Sequence, residues 1–333
     1  MNLYFSFIIP VYNRPDEINE LLESLTKQTF TKEYEIVIVE DGSAVSSEDV
    51  VKKFSARLNI AYYYKANSGP GDSRNYGMQR AKGNYFIILD SDCIIPAGYL
   101  AAAEKSLYEK YVDCYGGPDA AHESFSDIQK AINYSMTSFL TTGGIRGSKK
   151  AINKFQPRSF NMGISKQAFE ATGGFGKIHP GEDPDLTIRL WKAGFETKFI
   201  EEAFVYHKRR ISWGKFKQQV RKFGLTRPIL NSWHPETKKI TFWFPSLFLF
   251  GMLLAVVLGV LGIPAFLYIY VFYFMLVLTD ASIKNKSVYI GMLSIYAVIV
   301  QFYGYGTGFI KSTFYIEVLK EDPKKVFPKL FFK

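Results

Sequence analysis

Two cysteines in 333 residues, Cys93 and Cys114, are too few for a disulfide framework, and no run of Cys and His has zinc-site spacing. A disulfide-stapled secreted scaffold and a structural zinc domain are therefore not expected, and a reducing compartment is the simpler setting. The first twenty residues carry acidic and polar positions from Asp16 onward and no small-residue cleavage site, so they lack the pattern of a signal peptide. The N-terminal part is expected to stay in the cytoplasm. The formal charge is +10, but the basic residues form no nucleic-acid-reading module and are dense beside hydrophobic segments. Anionic lipid is the better-matched partner, and nucleic acid is not expected.

Charge is missing from most of the last third. Residues 242–262 form a charge-free run, 264–279 continue it, and 288–310 are a third such stretch. About 20 apolar residues cross a bilayer core, so segments at about 242–262, 264–282 and 288–310 are expected to be hydrophobic membrane segments, followed by a basic tail at 311–333. The expected location is the cell (inner) membrane, multi-pass, with the N-terminal domain on the cytoplasmic face. Lys208, Arg209, Arg210, Lys215, Lys217, Arg221, Lys222, Arg227, Lys238 and Lys239 precede the first segment and hold that side in the cytoplasm. With a hairpin turn at Ile263 and Pro264, a third crossing would export Lys311, Lys320, Lys324, Lys325, Lys329 and Lys333, against the same rule. Either the third segment is re-entrant or interfacial, or the rule is overridden. Residues 211–230 mix Trp213, Phe216, Val220 and Phe223 with basic residues. That mixture suits a helix lying in the membrane interface, or an amphipathic helix docked on the soluble domain.

Residues 1–230 read as an α/β domain. Strands are expected at 4–11, 34–39, 59–64 and 85–89, with helices at 16–28, 47–58 and 71–81, because β-branched and aromatic runs alternate with helically spaced apolar residues. Polar clusters fall just past the strand ends: Asn13-Arg14-Pro15, Glu40-Asp41-Gly42-Ser43 and Asp90-Ser91-Asp92. Open parallel α/β sheets bind ligands at that edge. Asp90 and Asp92 are two residues apart, so on extended backbone both carboxylates face one side and Ser91 the other. Two hard oxygen ligands suit Mg²⁺ or Mn²⁺ bridged to a diphosphate, although surface turns are also rich in Asp.

These clusters, together with Asn67-Ser68-Gly69-Pro70-Gly71-Asp72-Ser73-Arg74-Asn75-Tyr76-Gly77, occur in an order and spacing that resembles family 2 glycosyltransferases of the GT-A fold, over about residues 5–221. The resemblance implies a nucleotide-binding mixed or parallel sheet flanked by helices. It also implies a donor site made by Pro10, Tyr12, Asn13, Glu40, Asp41, Gly71, Arg74, Asn75, Asp90 and Ser91. In that family the carboxylate matching Asp41 reads the base, Asp90 lies near the ribose, and Asp92 is the usual metal contact. Ser73 stands where an Ala often precedes the Arg. Arg74 could also be a structural ion pair with an acidic loop residue.

The same resemblance extends through Asn161-Met162-Gly163 to Gly181-Glu182-Asp183-Pro184-Asp185, implying an acceptor side at Gly163 and Glu182 and a catalytic base at Asp183. The plain alternative is that these acids open a helix and complement its dipole. His207 is similar to a metal or diphosphate contact of some relatives, and Arg209, Arg210 and Arg221 to diphosphate contacts. Gln218 and Arg221 only faintly resemble the Gln-x-x-Arg-Trp motif of processive relatives, since Lys222 replaces the Trp. The segment 117–160, with His122, Arg146, Lys149, Lys150, Lys154 and Arg158, reads as a lid or binding loop whose basic half could receive a phosphate-bearing lipid.

The expected activity is inverting, metal-dependent transfer from a UDP-sugar, or else a GDP-sugar, to a hydroxyl of a cell-envelope glycan or lipid-linked acceptor. A polyprenyl-phosphate sugar transferase and an inactive membrane scaffold that keeps the sheet are the alternatives.

Overall fold

The computed structural model describes residues 2–120, 125–143, 155–207 and 212–332, and it divides into two units. Met1–His122, Gly147–Lys208 and Phe331–Lys333 form an α/β unit, while Glu123–Arg146 and Arg209–Leu330 form a helical one. In chain order the elements are β1 (Phe5–Val11), α1 (Pro15–Leu25), β2 (Glu35–Asp41), α2 (Glu48–Phe54), β3 (Ile60–Lys65), α3 (Pro70–Arg80), β4 (Tyr85–Leu89), β5 (Cys93–Ile94) and α4 (Tyr99–Glu109). There follow β6 (Cys114–Gly116), β7 (Asp119–Ala120), α5 (Asp127–Thr137), α6 (Phe139–Thr142), β8 (Asn161–Ser165), α7 (Lys166–Thr172), α8 (Glu182–Lys192), β9 (Thr197–Phe199) and β10 (Val205–His207). The long helices α9 (Trp213–Trp233), α10 (Phe244–Val260), α11 (Ala265–Asn285) and α12 (Val288–Thr313) come next, and the short α13 (Pro323–Val326) follows them.

The main sheet has the order β3-β2-β1-β4-β8-β6-β9. The strands β1 to β4 are parallel, and β8 runs antiparallel to both β4 and β6. Alternate side chains feed two buried layers, as the period of two in a strand requires. Phe5, Phe7 and Ile9 of β1 and Ile36 and Ile38 of β2 pack with Ile18, Leu21 and Leu22 of α1 and with Tyr99 of α4. Ile8, Val37 and Val39 turn to the other face, against Met78 of α3 and Leu186 and Leu190 of α8. Burial on both faces is why β1, β2 and β4 read as continuous apolar runs. A smaller sheet, β5-β10-β7, lies after it in register His207↔Cys93 and Tyr206↔Ile94.

In the helical unit, α9 packs closely on α12. A Cβ added to Gly304 would come within 2.5 Å of Val220, and one added to Gly308 within 2.5 Å of the Arg221 carbonyl oxygen. Small residues four apart allow this backbone approach, the device common between helices in membranes. Phe216 and Val220, two of the residues considered for an interfacial face, are buried in a cluster with Ile290, Ala297 and Val300 of α12. The helical unit takes in Arg209–Leu330, α9 included. The stretch expected as an irregular lid holds two helices, α5 and α6. Ser126 opens α5 with a reciprocal capping box to Gln129, and Tyr134 and Ser138 both donate to Asp280 of α11, at 2.7 and 3.3 Å. His122, Arg146, Lys149, Lys150 and Lys154 lie outside the described residues.

Among the described residues, three helices are long and apolar enough to cross a membrane: Ile240–Val260, Ala265–Asn285 and Val288–Val318. The first two bury 11% of their most apolar window inside the protein and the third buries 44%, which sets α12 apart.

Candidate active site

The carboxyl ends of β1, β2 and β4 carry the polar clusters, as the sequence order implied. Asp90 and Asp92 follow β4, and the pairing of β10 with β5 brings His207 beside them. The His207 Nε2 atom lies 3.2 Å from Asp92 Oδ1 and 4.0 Å from Asp90 Oδ2. Phe160 stacks on the imidazole at 4.6 Å between ring centroids, which fixes its plane. Arg14, the residue before α1, donates from Nη1 to Asp92 Oδ2 at 2.7 Å. Burial acts to raise the Asp92 pKa, but the neighbouring His207 and Arg14 outweigh it and hold the carboxyl well below its usual range.

Among the described residues, His207 Nδ1 is buried without a hydrogen-bond partner, and Asp92 Oδ1, also buried, has the 3.2 Å ion-pair contact with His207 Nε2 but no well-aligned hydrogen bond. A carboxylate oxygen with lone pairs to spare can also accept a cation. Cys93 Sγ is also near enough to share an ion with Asp92 and His207. However, burial pushes its thiol well up, and the thiol donates to the Phe160 carbonyl. Asp90, Asp92 and His207 thus form a set of hard oxygens plus one imidazole, which fits Mg²⁺ or Mn²⁺. Ser91 is buried between the two carboxylates.

Arg74 joins this cluster to the start of α8. It is buried, donating from Nη2 to Asp90 Oδ1 at 2.7 Å and from Nη1 to Glu182 Oε1 at 3.1 Å. The ion pair with an acidic residue expected as one role of Arg74 is present. Glu182 is also buried, and its Oε1 lies 2.8 Å from His179 Nδ1. Burial opposes ionisation here too, but His179 and then Arg74 hold the Glu182 carboxyl down at about 2. Glu182 is therefore held at the helix start by partners in two other loops. Its neighbour Asp183 is less enclosed, with Oδ2 3.5 Å from Arg158 Nη1.

Several expected donor-site residues brace the loops. Asp41 Oδ1 accepts from Lys65 Nζ at 2.7 Å and from the Ser68 N–H at 2.9 Å; Oδ2 accepts from the Gly69 N–H at 2.9 Å. Glu40 accepts from Ser43 Oγ, from the Ser47 N–H at 2.8 Å and from Tyr62 OH at 3.1 Å. Asn13 caps the same turn, its Oδ1 accepting from the Ala44 N–H at 2.8 Å. Asn75 clamps Phe175 by both amide atoms, and Gly71 lies under the Gly176 carbonyl. Pro10 is half-buried at the end of β1 and Tyr12 is exposed beyond it.

Gly163 departs from expectation. It sits inside β8, where a Cβ would come within 2.0 Å of the Tyr115 ring, so it serves packing and not an acceptor surface. Arg221 lies on α9 in the helical unit, and Arg209 and Arg210 lie outside the described residues. Arg14, Phe160 and His179 were not singled out as site residues. Only Arg14 carried a signal, its place directly past the end of β1.

Residues 6–173, half of the chain, match the family model described as Glycosyl transferase family 2. The poly(ribitol-phosphate) beta-N-acetylglucosaminyltransferase TarS of Staphylococcus aureus is 38% identical over 112 residues, covering 33% of this chain and 20% of TarS. The chain thus spans about a fifth of that relative's length. Glycosyltransferase AglE of Haloferax volcanii is 25% identical over 233 residues, covering 66% of this chain and 71% of AglE. Among solved structures, the mannosyltransferase PcManGT from Pyrobaculum calidifontis, in complex with GDP-Man and Mn²⁺, is similar with a TM-score of 0.61 and 15% identity. That likeness covers 94% of this chain and 87% of PcManGT, and it speaks for the fold alone. Since the matched residues carry β1 to β4 and β8, with the carboxylates at their ends, the chain belongs to glycosyltransferase family 2 and has a GT-A type α/β fold.

Proposed function

We propose that this chain transfers a sugar, with inversion, from a nucleotide diphosphate donor to a hydroxyl of a cell-envelope glycan or lipid-linked acceptor. UDP-sugars are favoured and GDP-sugars are the other class to test, because the relatives' complexes hold UDP-GlcNAc and GDP-Man. One observation carries the reading: Asp90 and Asp92 converge with His207 in one cluster, which is tied through Arg74 to the helix start that bears Asp183.

In this scheme Asp183 accepts the proton of the acceptor hydroxyl as that oxygen bonds the anomeric carbon and the bond from carbon to diphosphate breaks. Arg158 orients the carboxylate, while the buried Glu182 and Arg74, with the half-exposed His179, hold the backbone of the helix start in place. Asp90, Asp92 and His207 would hold Mg²⁺ or Mn²⁺, whose contribution is to neutralise charge on the leaving diphosphate.

The membrane reading is that α10 and α11 cross as a hairpin with the α/β unit on the cytoplasmic side. An even number of crossings, with the partly buried α12 as the helix that does not cross, is the arrangement this reading favours. Every basic cluster from Lys215 to Lys329 then stays on the cytoplasmic face, which removes the conflict seen in the sequence.

The test of activity is the purified full chain in detergent, incubated with UDP- and GDP-sugars against membrane lipid extracts, with products identified by mass spectrometry. One donor consumed in step with a glycosylated acceptor supports the reading. Absence of transfer and of nucleotide release from every donor would sink it, and transfer to polyprenyl phosphate alone would favour that narrower activity. Sidedness is read by cysteine labelling in intact cells: Gly262→Cys is expected to react from outside and Lys286→Cys only after permeabilisation.

A further inference from the structure

The segment that follows the helical unit touches two loops of the α/β unit at once. Phe331 forms a β-bridge with Ile178, and the Phe332 N–H donates to the Lys177 carbonyl at 3.0 Å. The Phe332 ring lies 6.0 Å from the His179 imidazole, centroid to centroid. On its other side the ring sits against Gly69, where an added Cβ would come within 2.4 Å of it. Gly69 also has a φ of +96°, so this position needs glycine both for its backbone and for the room it leaves.

Each loop leads directly into the candidate site. Gly69 donates its N–H to Asp41 and opens α3, which carries Arg74. His179 holds Glu182, which precedes Asp183. Arg74 closes the circuit by bonding both Glu182 and Asp90. The aromatic ring therefore lies between the loop that begins the donor side and the loop that begins the base side. A ring with two side-chain torsions is a stiff spacer at small entropic cost.

We infer that Phe332 is a positioning residue for the transfer reaction, setting the separation between the donor-side loop at Gly69 and the base-side loop at His179. The inference rests on the transferase reading and adds a residue far along the chain from the family motifs. Removal of the ring takes away one contact shared by the two loops, so their ends at Gly69 and His179 can shift. The loops still meet at Gly71 and Gly176 and through Asn75 and Phe175. A misplacement of about 1 Å costs up to about 10²-fold in rate, so a tenfold loss is a modest expectation.

The experiment compares full-length wild type, Phe332→Ala and Phe332→Tyr in detergent. It measures kcat, donor KM, acceptor KM and the stoichiometry of nucleoside diphosphate binding by calorimetry. Phe332→Ala is expected to lower kcat by about tenfold and raise donor KM, with acceptor KM and binding stoichiometry unchanged, and Phe332→Tyr to recover both parameters. Unchanged kcat and donor KM would overturn the inference. So would a loss accounted for entirely by fewer nucleotide-binding molecules at unchanged donor KM, which marks a structural role only. If Phe332→Ala does not fold, Phe332→Leu keeps the apolar bulk without the plane and is expected to shift kcat and donor KM in the same sense by less. A wild type that turns over no sugar nucleotide fails earlier and differently, removing the transferase reading and this inference together.

Discussion

Replacing Arg74 with methionine keeps an unbranched apolar stem and deletes a buried guanidinium that serves two carboxylates, Asp90 at 2.7 Å and Glu182 at 3.1 Å. Breaking a buried ion pair by removing one partner costs about 3 to 5 kcal/mol, because the remaining charge is left uncompensated. Two features place this site at the lower end. The Asp90 side chain is 31% exposed and keeps contact with water, and Glu182 retains His179. A cost of about 3 kcal/mol corresponds to a fall in Tm of roughly 6 to 12 °C for a unit of this size. The assay follows the reaction of a thiol dye during heating. Both cysteines, Cys93 and Cys114, are buried in the α/β unit, so the signal reports that unit and not the membrane helices. Arg74→Lys, which keeps the charge but loses the fork, is expected to fall between wild type and Arg74→Met. A Tm drop of less than about 3 °C for Arg74→Met would refute the bridge as a structural element.

Three further outcomes follow from the same geometry. Excess EDTA is expected to abolish turnover, with recovery on Mn²⁺ or Mg²⁺ and no recovery in Asp92→Ala; full activity in EDTA contradicts a cation at Asp90, Asp92 and His207. Glu182, whose carboxyl falls from 4.5 to about 2 on folding, contributes stability that is complete above pH 4.5 and is lost as the pH drops toward 2. Melting curves of Glu182→Gln across that window are therefore expected to be flatter than wild type, and equal slopes would count against the assignment. Gly163→Ala drives a methyl into the Tyr115 ring and is expected to cost about 1 to 3 kcal/mol with acceptor KM unchanged, whereas a selective rise in acceptor KM would return Gly163 to the acceptor surface.

The parts of the fold that were legible in the sequence are those fixed by local chemistry. The strands β1, β2 and β4 are buried on both faces and so appear as apolar runs, and their polar ends stand out against them. Asp90 and Asp92 were legible for the same reason. What was hidden depends on pairing between distant segments. His207 was named through the family resemblance, but its route to Asp92, the register of the three-residue strand β10 with β5, is encoded by no local pattern. The charge on Glu182 looked like a helix-dipole acid because its partners, Arg74 and His179, lie in separate loops. The basic and aromatic mixture of α9 suggested a lipid or domain surface, yet its close partner is set by Gly304 and Gly308, more than 70 residues later. The sequence reads Phe332 as an ordinary tail residue, since nothing near it reveals the loops it separates.

The central claim is that Asp183 is the proton acceptor of a sugar transfer, and Asp183→Asn tests it most directly. The amide preserves shape and removes basicity. Measured on the full chain, kcat is expected to fall by about 10² to 10⁴-fold while donor affinity by calorimetry stays at the wild-type value. A fall of less than about tenfold, accompanied by a stability loss of about 0.3 to 1 kcal/mol, would mean instead that Asp183 only complements the dipole of α8.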